Sequence, residues 1–123
     1  MKLETVEIAL AAASAASDKK AEDIVVLRVS EQIVITDYFV ICTGNTDRQV
    51  KTIANEIEDQ LRNNCGIKPI GREGETEGSW ILLDFADVVV HVFQPNEREF
   101  YRLEKLWSDA ERVELPAAIN SGA

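Results

Sequence analysis

The chain has 123 residues, 46% of them apolar and 7% aromatic, the size and make-up of one globular domain able to bury a real core. That balance excludes wholesale disorder, collagen-like repeats and a disulfide scaffold. Thirteen Lys and Arg against 22 Asp and Glu leave a net charge of −9, which repels phosphate backbones, argues against broad nucleic-acid binding and suits a basic protein partner.

The opening stretch, MKLETVEIALAAASAAS, is interrupted by Glu4 and Glu7 and holds no unbroken apolar region of the signal-peptide kind, so it reads as a helix of the mature chain. Leu3, Val6, Leu10 and Ala13 recur at helical spacing, and the helix is expected to end near Ser17 and Asp18. Asp23 to Val29 is β-branched and too short for a helix, which predicts a strand. A second strand is expected at about Thr36 to Thr43, close enough to the first for hairpin-like pairing.

Gly44 and Asn45 break that strand, and Thr46 to Gln49 form a capping box in which the Thr hydroxyl accepts from the amide three residues on while Gln49 reaches back. Val50, Ile53, Ala54, Ile57 and Leu61 then lie on one helical stripe, and Gly66 is a natural helix terminator. Ile67 to Arg72 predicts a short edge strand, because Pro69 cannot donate to a ladder. GREGETEG reads as a mobile acidic loop. Trp80 to Asp84 and Val88 to Phe93 predict a hairpin. A last helix is expected with Asn96 as its cap, Glu99 in capping-box position and Phe100, Leu103 and Trp107 as its buried stripe.

This order predicts an α/β fold: a single domain with a mixed, roughly five-stranded sheet flanked by helices, spanning residues 1–110. Residues 111–123, with Pro116 and no periodicity, read as a disordered tail. No run approaches the roughly 18 apolar residues that span a bilayer, so a soluble, cytoplasmic protein with no membrane partner is expected. Cys42 and Cys65 lack C-x-x-C spacing and there is one histidine, which supports neither a zinc site nor a disulfide and suits a reducing compartment. No cofactor or metal is expected.

The chemistry-bearing residues each have a plain reading beside the functional one. TGNTDR follows a strand and opens a helix, as phosphate-binding turns do. It lacks the P-loop lysine and the G-x-G-x-x-G spacing, so a plain strand-to-helix turn is the better reading. Asp84 and Asp87 could serve a metal in a nucleotidyl-transfer site, but aspartates at hairpin turns commonly bond nearby amides. His91 shares a strand face with Val89 and Phe93, and no nucleophile stands beside it in sequence, so a packing or interface role is favoured over a general base. Cys42 reads as core filler. Trp80 lies on one strand face with Leu82 and Asp84, opposite Ile81, Leu83 and Phe85. With Tyr101 and Trp107 it makes a docking patch, the plain alternative being that both tryptophans pack in the core.

Three long segments carry a resemblance: TDYFVICTGNTDRQVKTIANEI, GSWILLDFADVVVHVF and EREFYRLEKLW closely resemble the ribosomal silencing factor (Iojap) family over about residues 1–110. The resemblance implies a nucleotidyltransferase-like fold without a catalytic site, and a non-enzymatic regulator of translation under nutrient limitation. It implies binding to the large ribosomal subunit through the large-subunit protein numbered fourteen, little direct rRNA contact, and steric blocking of the small subunit. Carried over by motif, the partner-binding residues are Trp80, Asp84, Asp87, His91, Tyr101, Glu104 and Trp107. The alternatives are a nucleotide-binding enzyme using Asp84, Asp87 and the turn at Gly44, and a homodimer through a self-complementary aromatic patch.

Overall fold

The computed structural model describes residues 4–74, 76–117 and 119. Its elements are α1 (Thr5–Asp18), β1 (Glu22–Arg28), β2 (Tyr38–Thr43), α2 (Asp47–Cys65), β3 (Gly71–Glu73), β4 (Trp80–Asp84), β5 (Val88–Phe93), α3 (Pro95–Tyr101), α4 (Leu103–Leu106) and β6 (Glu111–Arg112). The strands form one mixed sheet in the order β3-β4-β5-β2-β1-β6. All neighbours are antiparallel except β2 and β5, which run parallel, with α2 among the elements that connect them.

Side-chain alternation divides this sheet into two unlike faces. On one, Ile24, Val26, Val40, Cys42, Ile81, Leu83, Val88, Val90 and Val92 pack beneath α1 and α2. α2 buries the five residues of its apolar stripe there, each large one contributing about 2 kcal/mol relative to exposure. On the other face lie Leu27, Val29, Phe39, Ile41 and Phe93, partly covered by Trp80, Val89, Leu103 and Trp107.

The predicted β1–β2 pairing is present, with Val26 opposite Val40 and Arg28 opposite Tyr38. The α2 termini also follow expectation: Thr46 Oγ1 accepts from the Gln49 amide at 3.0 Å, and Gly66 closes the helix at φ 69°. Gln49 reaches one residue further back than a standard capping box, its Oε1 accepting from the Asn45 amide at 2.7 Å.

Several expectations are corrected. α1 buries Ala9, Ala12, Ala13, Ala15 and Ala16 rather than the larger residues; Val6 and Leu10 are only half-buried, and Leu3 lies outside the described residues. A methyl-sized face lets α1 sit close to α2 and the sheet, where a leucine stripe would hold it off. The edge strand begins at Gly71, beyond Pro69, because the proline offers no amide to the ladder. The loop expected to be mobile is pinned in its described part. Gly78 N donates to Gly74 O at 3.0 Å and Gln94 Nε2 to Gly78 O at 3.1 Å, while Gly74 at φ 89° lies against the Trp80 carbonyl, where no Cβ fits.

The expected disordered tail gives way, over its described part, to a sixth strand. β6 pairs with β1 through Leu27 opposite Arg112 and Arg28 opposite Glu111, and Val113, Leu115 and Ile119 pack on the α1/α2 side of the core. Residues 118 and 120–123 lie outside the described set.

Candidate docking surface

The second sheet face is where four of the predicted site residues, Trp80, His91, Tyr101 and Trp107, gather. Register places Trp80 opposite Phe93 and Leu82 opposite His91 across the hairpin, with Ile41 of β2 beside His91. Alternation therefore brings Phe39, Trp80, His91 and Phe93 to one side. Trp80 stacks on Phe93 (centroids 4.8 Å, 29°) and meets Tyr101 at 4.7 Å and 46°. Phe39 meets His91 edge-on at 5.0 Å and Trp107 at 5.7 Å. Such contacts add about 0.5–1.5 kcal/mol each beyond the area they bury.

His91 is buried, 5% exposed, and its Nδ1 accepts from Trp80 Nε1–H at 3.1 Å. An acceptor at Nδ1 puts the neutral ring's proton on Nε2, which is itself buried without a partner. Burial holds the imidazole pKa down at about 4, so the ring is neutral at pH 7. His91 thus lies beneath Trp80 as its support, and Trp80 is left partly buried with the one polar atom of its side chain already engaged.

The last helical region departs from expectation in a way that shapes this surface. Gln94, not Asn96, is the cap residue, because Pro95 takes the first helical position, where its missing amide costs nothing. The helix then breaks at Arg102, which adopts φ 45°. The break changes the helical phase, so Phe100 stands 80% exposed while Leu103 and Trp107 pack against the sheet. Arg98 holds the break together. Its guanidinium grips Glu104 with two hydrogen bonds, 3.1 and 2.8 Å, and donates to Thr43 Oγ1 at the end of β2 at 2.8 Å. Glu104 is therefore tied within the chain.

Asp84 and Asp87 sit at the other end of the hairpin. Asp84 is half-exposed on the Trp80 face, about 13 Å along the strand at 3.3 Å per residue. Its Oδ1 accepts from the Ala86 amide at 2.8 Å, the local turn bond that aspartate favours. Asp87 is exposed at the turn. Among the described residues, no group of three or more His, Cys, Asp or Glu side chains is placed to hold a metal. The turn at Gly44 consumes its own donors: the amides of Asn45, Arg48 and Gln49 go to Gln49, Asp47 and Thr46 side chains, and Asp47 adds a negative charge in the first turn. Cys42 is fully buried, which pushes its thiol up to about 12, against a lesser opposite pull from Arg98. It is an inert core residue.

Comparison with known proteins identifies the kind of molecule that carries this face. A family model described as "ribosomal silencing factor during starvation" matches residues 2–122. The chain belongs to the ribosomal silencing factor family. It is 50% identical over 109 residues to ribosomal silencing factor RsfS of Bacillus subtilis, covering 89% of this chain and 92% of that protein. It is 40% identical over 116 residues to the chloroplastic protein Iojap of Zea mays, 92% of this chain and 49% of that one. A crystal structure of a protein from Chromobacterium violaceum superposes with TM-score 0.83 at 34% identity, covering 97% of this chain and 98% of that one. Membership places the chain among regulators that repress translation and not among enzymes. No helix among the described residues is long and apolar enough to cross a membrane.

The structure also brings in residues that the sequence reading passed over. Arg98 and Thr43 are the internal partners of Glu104, and Glu73, Glu77 and Glu97 border the Trp80–Tyr101 surface. The six-residue separation of Arg98 and Glu104 is not a helical pairing distance, and the three glutamates come from a strand, a loop and a helix. No local pattern marks either group.

Proposed function

We propose that this chain silences ribosomes by occupying the large subunit at a basic ribosomal protein, the one numbered fourteen, beside the intersubunit face, so that its bulk obstructs the small subunit. The observation that carries this reading is the partly buried Trp80 in ring contact with exposed Tyr101, flanked by exposed Phe100, on a chain of net charge −9. Large aromatics that fill a partner's pocket supply roughly 2 kcal/mol or more each. An interface of about 1,600 Å² centred on them is enough for roughly nanomolar binding. The anionic surface steers toward a basic protein and away from rRNA.

Within the seven residues of the face, the burdens differ. Trp80, Tyr101, Asp84 and Asp87 meet the partner. His91 orients Trp80 from beneath, Glu104 secures the helix break through Arg98, and Trp107 backs the surface against Phe39. Co-sedimentation with purified large subunits tests the reading: Trp80→Ala and Tyr101→Ala, each folded by circular dichroism, should bind at least tenfold more weakly than the parent chain. Undiminished binding by both variants would rule this face out.

A further inference from the structure

Beside Trp80 the surface is a groove of about 380 Å³, lined by Glu73, Gly74, Glu77, Ser79, Trp80, Leu82, Glu97 and Tyr101. Its floor is aromatic and aliphatic: the Trp80 and Tyr101 rings splay at 46° with Leu82 beside them. Its rim is acidic. Three glutamates, from β3, the following loop and α3, line one cavity, and no lysine or arginine among the described residues lines it. Glu73, Glu77 and Glu97 make no hydrogen bond or ion pair among the described residues, whereas Glu56, Glu58, Asp59, Glu104 and Glu111 each pair with a cation of the chain. Lys51 lies behind the turn at Gly78, off the groove's lining.

We infer that this groove receives one arginine side chain of the basic protein partner. The source of the arginine rests on the docking reading above; the chemistry of the groove rests on its own residues. A planar guanidinium stacks on an aromatic face and forks to carboxylates, which a compact ammonium does less well. The Trp80 indole N–H is already donated to His91, so what the side chain presents to a ligand is the carbon surface of its ring. Gly74 against the Trp80 carbonyl and Gln94 on Gly78 hold the backbone on either side of Glu77, which lowers the ordering cost when the partner arrives.

The test uses the full chain, labelled with ¹⁵N and titrated with N-acetyl-arginine methylamide or its neutral isostere N-acetyl-citrulline methylamide. Arginine should give saturable shifts at the Trp80 indole N–H and the Glu77 and Ser79 amides. Citrulline should give less than a quarter of them, and the variant Glu73→Gln/Glu77→Gln/Glu97→Gln should lose them. The same variant should bind large subunits about tenfold more weakly at low salt, with a flatter salt dependence. Equal shifts with both probes, or variant binding within twofold of the parent, would overturn the inference and leave the docking reading standing. Arginine shifts in a parent chain that does not bind large subunits would uphold the groove and refute that reading.

Discussion

Trp80 Nε1 donates to His91 Nδ1 at 3.1 Å, across neighbouring strands of the hairpin, and the donor is only partly buried while the acceptor is buried. The bond requires an unprotonated Nδ1, so Trp80 is supported by an imidazole that must stay neutral. The rings and side chains around His91 (Phe39, Trp80, Phe93, Ile41 and Leu82) carry no charge that would stabilise an imidazolium.

A pH dependence follows. The folded-state pKa of His91 is about 4 against 6.5 for an unperturbed histidine, so the unfolded chain binds a proton first as pH falls. The stability associated with neutral His91 is complete above pH 6.5 and is lost between there and pH 4, by about 3 kcal/mol at most. Urea unfolding of the parent and of His91→Phe across this range should show the parent losing more stability than the variant. Parallel curves would contradict the burial argument.

The Arg98 clamp should behave as a unit. Arg98→Met leaves the Thr43 hydroxyl and the Glu104 carboxylate without their donor and should cost about 2–3 kcal/mol. Because the two side chains share their bonds, Arg98→Met/Glu104→Met should cost less than the two single changes added together. Chemical denaturation of the four proteins gives the coupling; strict additivity would mean that the clamp is not made.

Two glycines with positive φ should respond differently to a methyl group. Gly66 has open space around an added Cβ, so Gly66→Ala should cost about 1 kcal/mol, the backbone term alone. At Gly74 the Cβ meets the Trp80 carbonyl, so Gly74→Ala should cost about 3 kcal/mol and displace the loop bearing Glu77. Thermal melts of both variants check the order; a Gly74→Ala protein as stable as Gly66→Ala would show that the loop does not rest on β4.

Thiol chemistry separates the two cysteines. Cys42 is fully buried with its pKa pushed up to about 12, while the Cys65 side chain is partly exposed and its thiol is raised by burial and by Glu7. At pH 8 a disulfide reagent should modify Cys65 in the native protein and reach Cys42 only on unfolding. Prompt reaction of two thiols per native chain would contradict the packing of β2.

Much of this architecture is written locally. The α2 stripe from Val50 to Leu61, the Gly66 terminator and the alternation that sets His91 on the Phe93 side all follow from period and cap chemistry. What was hidden depends on contacts distant in sequence or on unmarked backbone. Arg102 adopts a left-handed conformation without being glycine, so nothing warns of the helix break that turns Phe100 outward. The alanines of α1 look featureless until α2 is laid against them. β6 has only two residues and owes its existence to the free edge of β1. Trp80, His91 and Tyr101 were legible as members of a face, whereas the burial of His91 and the internal engagement of Glu104 required the fold.

Subunit joining measures the central claim most directly. Purified large and small subunits, mixed with the chain and resolved on a sucrose gradient, should remain separate, and Trp80→Ala in its folded form, at the lowest concentration at which the parent chain keeps them apart, should restore the joined particle. Full joining in the presence of the parent chain, or equal obstruction by Trp80→Ala, would contradict it.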